Sequence, residues 1–163
     1  MIHDRAFSQY IFLETSNENA RGGIIINISS GDGELACLNS ELQRLLKEVQ
    51  SESDLESLLR ELWEGTCLRG QELAFGPTPA YSVSKAALNV LTRIQAREIE
   101  MSQLKLRAVA VCPGDVDTRM CSAGEGDRVL TPAQAAGDVI WAIERPSECP
   151  SGGFYREREP IPW

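Results

Sequence analysis

Two apolar stretches separated by a long amphipathic helix confine this chain to a narrow set of folds. Gly23 to Ser30 reads GIIINISS, a β-branched run without alternation, as in a strand covered on both faces. Leu106 to Cys112 reads LRAVAVC and is halted by Pro113-Gly114. Between them, Gly76-Pro77-Thr78-Pro79 breaks the chain before a helix from about Tyr81 to Ile99. Ala86, Ala87, Val90, Leu91 and Ile94 supply its buried face. Strands joined through helices predict an α/β layer fold with parallel strands. Thr131-Pro132-Ala133-Gln134 combines an N-cap, a proline at N1 and a glutamine at N3. It opens a further helix carrying Val139, Ile140 and Ile143, and Gly153 to Arg156 forms a last short strand.

A helical hairpin fills the interval between the first strand and the long helix. Ser40 with Gln43, and Ser53 with Glu56, fit two capping boxes. Leu42, Leu45, Leu46 and Val49 make one apolar face. Leu55, Leu58, Leu59, Leu62 and Trp63 make a second. Packing on the main body accounts for these leucines, although a partner-binding face is the alternative. Phe7, Tyr10, Ile11 and Glu14 sit at helical spacing and suggest a short helix within residues 1–20. The 163 residues read as one domain, 1–163, with 34–76 as a helical insertion within it.

Composition narrows the function. The net charge is −8, and no basic stripe with interleaved aromatics occurs, which argues against a nucleic-acid partner. No apolar run exceeds five residues, as in Ala108 to Cys112, so no membrane span is expected. The start, Met1-Ile2-His3-Asp4-Arg5, lacks the plan of a signal peptide. Cys37, Cys67, Cys112, Cys121 and Cys149 are odd in number and scattered, which reads as a reduced, cytoplasmic protein. The one histidine, His3, leaves no basis for a Ser-His-Asp triad or a His-rich metal site, so no metal is expected. Ser29-Ser30-Gly31 is not the G-x-S-x-G elbow of a hydrolase.

Three polar features fall where an α/β sheet places ligands, at the carboxyl ends of its strands. Ser29-Ser30 ends the first strand, Pro113-Gly114 ends the second, and Tyr81 and Lys85 share a face of the helix between them. Their chemistry is coherent. Reducing a carbonyl by hydride needs a proton for the developing alkoxide. A tyrosine delivers it when a nearby ammonium favours its phenolate. A serine hydroxyl can hold the substrate oxygen in line.

GIIINISSG, YSVSKAALNVLTR and VAVCPGDVDTRM, in this order and context, resemble the catalytic half of the short-chain dehydrogenases/reductases. The resemblance runs from about Gly22 to Trp163. It implies the C-terminal part of a Rossmann-like, doubly wound parallel sheet carrying an inserted helical hairpin. By family role Ser30 would orient the substrate, Tyr81 donate the proton, and Lys85 tune Tyr81 and hold the nicotinamide ribose. Pro113, Gly114, Val116 and Thr118 would lie along the nicotinamide. The interval between Ser30 and Tyr81, the Arg93 to Arg97 run and the ending at Trp163 resemble the monomeric NADPH carbonyl reductases. NADPH and a small-molecule ketone, aldehyde or quinone are therefore the implied cofactor and substrate. Asp115 departs from the tryptophan usual after Pro-Gly in that branch, and Asp117 and Arg119 differ too, which bears on the substrate pocket.

The family's glycine-rich dinucleotide turn has no counterpart here. Neither G-x-x-x-G-x-G nor G-x-G-x-x-G occurs, and 22 residues precede Gly23, where a βαβαβ half takes on the order of 100. The alternative is thus a truncated, inactive relative, at most a partner-binding protein. The strand at Ile24–Ile26 would then be a hydrophobic edge open to self-association.

Overall fold

The computed structural model describes residues 22–65, 72–119, 121 and 128–162. The short helix expected within residues 1–20, Cys67 and Trp163 lie outside the described residues. Strand β1 (Gly23–Ile28) pairs in parallel with β2 (Leu106–Cys112), and β2 in parallel with β3 (Phe154–Arg156). A two-residue β4 (Glu159–Pro160) folds back antiparallel on β3, giving the order β1-β2-β3-β4. Helix α1 (Ser40–Glu48) and helix α2 (Glu52–Trp63) precede α3 (Pro79–Met101), and α4 (Pro132–Glu144) links β2 to β3.

The sheet is covered on both faces, as expected for a doubly wound fold. Ile24, Ile26, Val109, Val111 and Tyr155 pack with Trp141 and Ala142 of α4. Arg107 on this face donates to the carbonyls of Cys149, Ala142 and Ile143 and so holds the end of α4. The other face carries Asn27, whose Nδ2 donates to Thr92 Oγ1 at 2.8 Å and to Gln95 Oε1 at 2.9 Å on α3. Beyond α3 lies a second core, in which Leu38, Leu42, Leu46, Leu55 and Leu58 meet Val83, Ala86, Val90 and Ile94. The leucine hairpin therefore packs on the main body.

Several local expectations need correction. Helix α1 is capped by Asn39, whose side chain accepts from Leu42 N, and not by Ser40; Gln43 instead donates to Leu38 O. Helix α2 is capped by Ser51, which accepts from Asp54 N, and not by Ser53. Trp63 is 90% exposed and Ile140 50% exposed, so neither belongs to a core. The α4 capping box at Thr131 and Gln134 forms as expected.

Tyr155 joins this core to a pH dependence. It is 3% exposed, donates its hydroxyl to Pro150 O at 3.2 Å and meets Trp141 edge to face. Burial first, and the neighbouring Cys149 next, push its phenol from 10.0 up to about 12, against the opposing pull of Arg107. The folded state therefore keeps a proton that the unfolded chain has lost. The resulting stability is complete below pH 10 and disappears as pH rises through about 12; its size is about 2–3 kcal/mol. Urea midpoints of Tyr155→Phe across that window are expected to fall less steeply than those of the parent. Equal slopes would show that Tyr155 does not carry the effect.

Candidate active site

The end of β1 and the first turns of α3 meet through short contacts. Lys85 Nζ donates to Ile28 O at 2.8 Å and stands 5.5 Å from the centroid of the Tyr81 ring, within cation–π range. Ser29 is buried; its amide donates to Val111 O, and its Oγ to Lys85 O at 3.4 Å. The chain then leaves the sheet in a single 3-10 turn, Gly31–Gly33. Ser30 caps that turn, accepting from Asp32 N at 3.3 Å through its Oγ. A hydroxyl that accepts this bond keeps its own proton for another acceptor.

Cys112 ends the neighbouring strand and is buried. Burial pushes its thiol pKa up, while the backbone N–H groups of Gly114 and Gly31 pull it down. The thiol thus lies between the turn that follows β1 and the turn that follows β2. Burial also lowers the pKa of the Lys85 ammonium from its ordinary value, and Cys112 opposes that shift. Gly114 takes φ +74°, which favours glycine, so the chain can turn sharply after Pro113. Val116 pairs in parallel with Leu130, flanked by Leu130 N to Asp115 O at 2.7 Å and Asp117 N to Leu130 O at 2.9 Å. The bridge follows the end of β2, with Val116 half-buried and Thr118 exposed.

Ser30, Tyr81 and Lys85 are thus gathered at the end of β1, and Pro113 and Gly114 at the end of the adjoining β2. Two surface grooves of about 470 and 480 Å³ lie elsewhere, one along α4 at Gln134 and Gly137, the other beside Arg97 and Leu104. Among the described residues no group of His, Cys, Asp and Glu could hold a metal ion, and no helix is long and apolar enough to cross a membrane. Two residues that set this geometry, Gly33 and Asn89, escaped the sequence reading. Gly33 sits against the Lys85 backbone, and Asn89 and Ser29 bond across the same contact. An asparagine one turn beyond Lys85, on the apolar face of an amphipathic helix, is the signal that could have exposed both.

Known proteins are similar to this chain in sequence and in fold. Residues 70–128 match the family model described as short chain dehydrogenase. Carbonyl reductase 1 (NADPH) of Oryctolagus cuniculus is 29% identical over 153 residues, covering 87% of this chain and 53% of that protein. The chain spans about half the length of the curated relatives it matches. Salutaridine reductase from Papaver somniferum superposes with a TM-score of 0.64 at 29% identity, over 84% of this chain and 46% of that one. The NADPH-bound carbonyl reductase from chicken fatty liver gives 0.54 at 29% identity, over 86% and 42%. The chain is related to the short-chain dehydrogenases/reductases. Among them it is similar to carbonyl and salutaridine reductases, and it shares their Rossmann-like α/β architecture.

Proposed function

We propose that this chain carries the proton-delivering half of an NADPH-dependent carbonyl reductase site, acting on a small ketone, aldehyde or quinone. One observation carries the reading. The Lys85 ammonium stands beside the Tyr81 ring while bonded to the carbonyl that immediately precedes Ser29-Ser30. Tyr81 gives its hydroxyl proton to the substrate oxygen, which becomes an alcohol. The phenolate left behind is offset by Lys85 at short range. Ser30 donates a hydrogen bond to the same oxygen, keeps its proton and aligns the carbonyl. When bound, a reduced nicotinamide would supply the hydride for the carbonyl carbon.

The residues present suit the nicotinamide end of such a cofactor. Lys85 has spent one N–H on Ile28 O and has further donors for ribose hydroxyls. Pro113, Gly114, Val116 and Thr118 follow the adjoining strand end and offer a surface for the ring. The pyrophosphate end has no glycine-rich turn in this sequence. A reducing, cytoplasmic setting suits the free thiols of Cys37, Cys112, Cys121 and Cys149.

A second reading is favoured by one observation. Among the described residues β1 pairs on one side alone, and its GIIINI run has none of the charges or prolines that blunt an edge. Under this reading the chain is a non-catalytic relative that self-associates through Ile24–Ile26. Titration calorimetry with NADPH, paired with size-exclusion chromatography of the same sample, separates the two. The reductase reading expects micromolar binding, with turnover of a quinone or aldehyde that Tyr81→Phe lowers by about 10²–10⁴-fold. Oligomers that neither bind NADPH nor turn over would favour the second.

A further inference from the structure

Tyr81, Lys85 and Asn89 stand one helical turn apart on α3. The first two belong to the proposed chemistry, and Asn89 does not. It is 1% exposed, and its Nδ2 donates to Gly33 O at 3.1 Å. Gly33 closes the turn that Ser30 opens, through Gly33 N to Ser30 O at 2.9 Å. The bond therefore runs from the Tyr81–Lys85 helix to the turn that aims the Ser30 hydroxyl. The same turn lies flush on α3, since a Cβ at Gly33 would stand 2.8 Å from the carbonyl carbon of Lys85.

Asn89 has a cost that its packing does not explain. Its Oδ1 is buried with no hydrogen-bond partner, and such a group is destabilising. A leucine, which has the same branching, would carry no such unpaired group. What the amide supplies, and a leucine cannot, is the donor to Gly33 O.

We propose that Asn89 is a positioning residue whose buried amide docks the Ser30–Gly33 turn onto α3 and so fixes Ser30 relative to Tyr81. The inference rests on the reading of Ser30 and Tyr81 as reacting groups, but the docking itself can be measured without activity. Amide exchange in the full chain tests it. In Asn89→Leu, Gly33 and Glu34, whose amides donate to Ser30 O and Gly31 O, are expected to exchange about fivefold faster, the loss of one hydrogen bond. Val109 and Val111 on β2 are expected to keep their parent rates. A uniform acceleration, or no change at Gly33, would overturn the proposal. Asn89→Asp, which sets a carboxylate against the Gly33 carbonyl, is a second variant of nearly unchanged size and is expected to loosen the same two amides further. In a preparation that reduces carbonyls, Asn89→Leu is expected to lower kcat while KM for NADPH holds. Loosened amides with an unchanged kcat would overturn the positioning role. A parent chain without turnover would overturn only the proposed reaction.

Discussion

Gly33→Val is expected to lower the thermal midpoint by roughly 10 °C and to detach the Ser30 turn from α3. Gly33 does not take a positive φ, so its reason is space and not backbone conformation. A Cβ there would stand 2.8 Å from Lys85 C, 2.9 Å from Lys85 Cβ and 3.0 Å from Lys85 O. Two of these atoms are helix backbone and cannot swing aside. The turn must lift, which stretches Asn89 Nδ2 to Gly33 O, or α3 must shift, which disturbs Lys85 Nζ on Ile28 O. Overpacking by a side chain and loss of one buried hydrogen bond together cost about 3–4 kcal/mol. At this chain length each kcal/mol moves the midpoint by about 2–4 °C. Calorimetry measures the shift, and an unchanged midpoint would mean that the turn does not rest on the helix. Gly114 provides the contrast. Its nearest neighbour to an added Cβ is a leucine methyl at 3.5 Å, and its φ of +74° is what calls for glycine.

The elements that a local pattern specifies were legible. GIIINI and LRAVAVC became strands, the first ending at Ile28 rather than Ser30, and the Thr131 box became a helix start, because each signal lies within a few neighbouring residues. The caps of α1 and α2 were misread because two candidates stand close together at each start. Asn39 and Ser51, one and two residues earlier, are the side chains that reach an amide three residues on. Trp63 fits the apolar period of α2, but it is the last residue of that helix and points away from the core, so periodicity alone overcounts the buried face. Of the β3–β4 hairpin, β3 was legible at Gly153 to Arg156, but the turn and β4 were not. Its turn residues, Glu157 at φ 52° and Arg158 at φ 68°, are not the Asn or Gly that such a turn favours. Ion pairs from Arg128 to Glu157 and from Arg158 to Asp138 accompany it, made with residues distant in sequence.

The candidate site divides along the same line. Tyr81 and Lys85 were legible because one helix carries both, and Ser30 because it ends a strand. Gly33 and Asn89 were not, nor was the bond that Ser29 makes, since these contacts join segments more than 50 residues apart. Asn27 likewise finds Thr92 and Gln95 only once α3 has crossed the sheet. Sequence thus discloses the groups that could react, and tertiary contacts decide how they are held.

Leu46→Ala is expected to cost about 2–5 kcal/mol and to lower one cooperative transition as a whole. Leu46 is fully buried among Leu42, Leu58, Val90 and Ile94, so truncation leaves a cavity that helices on two sides would have to close. The hairpin is also tied at its backbone. Arg93 on α3 donates from Nη2 to Leu46 O at 3.2 Å and to Val49 O at 2.9 Å, and Arg97 donates to Gln50 Oε1 at 2.6 Å. These bonds fix the end of α1 to the helix that carries Tyr81 and Lys85. Residues 34–76 are accordingly proposed to be an integral part of one domain. Trp63→Ala, at the exposed end of α2, is the control and is expected to change stability by no more than about 0.5 kcal/mol. Thermal unfolding followed by calorimetry distinguishes the outcomes. A separate, low-temperature transition in Leu46→Ala, with the main transition unmoved, would show that the hairpin unfolds on its own. It would also mean that the face of α3 behind the candidate site is stable without it.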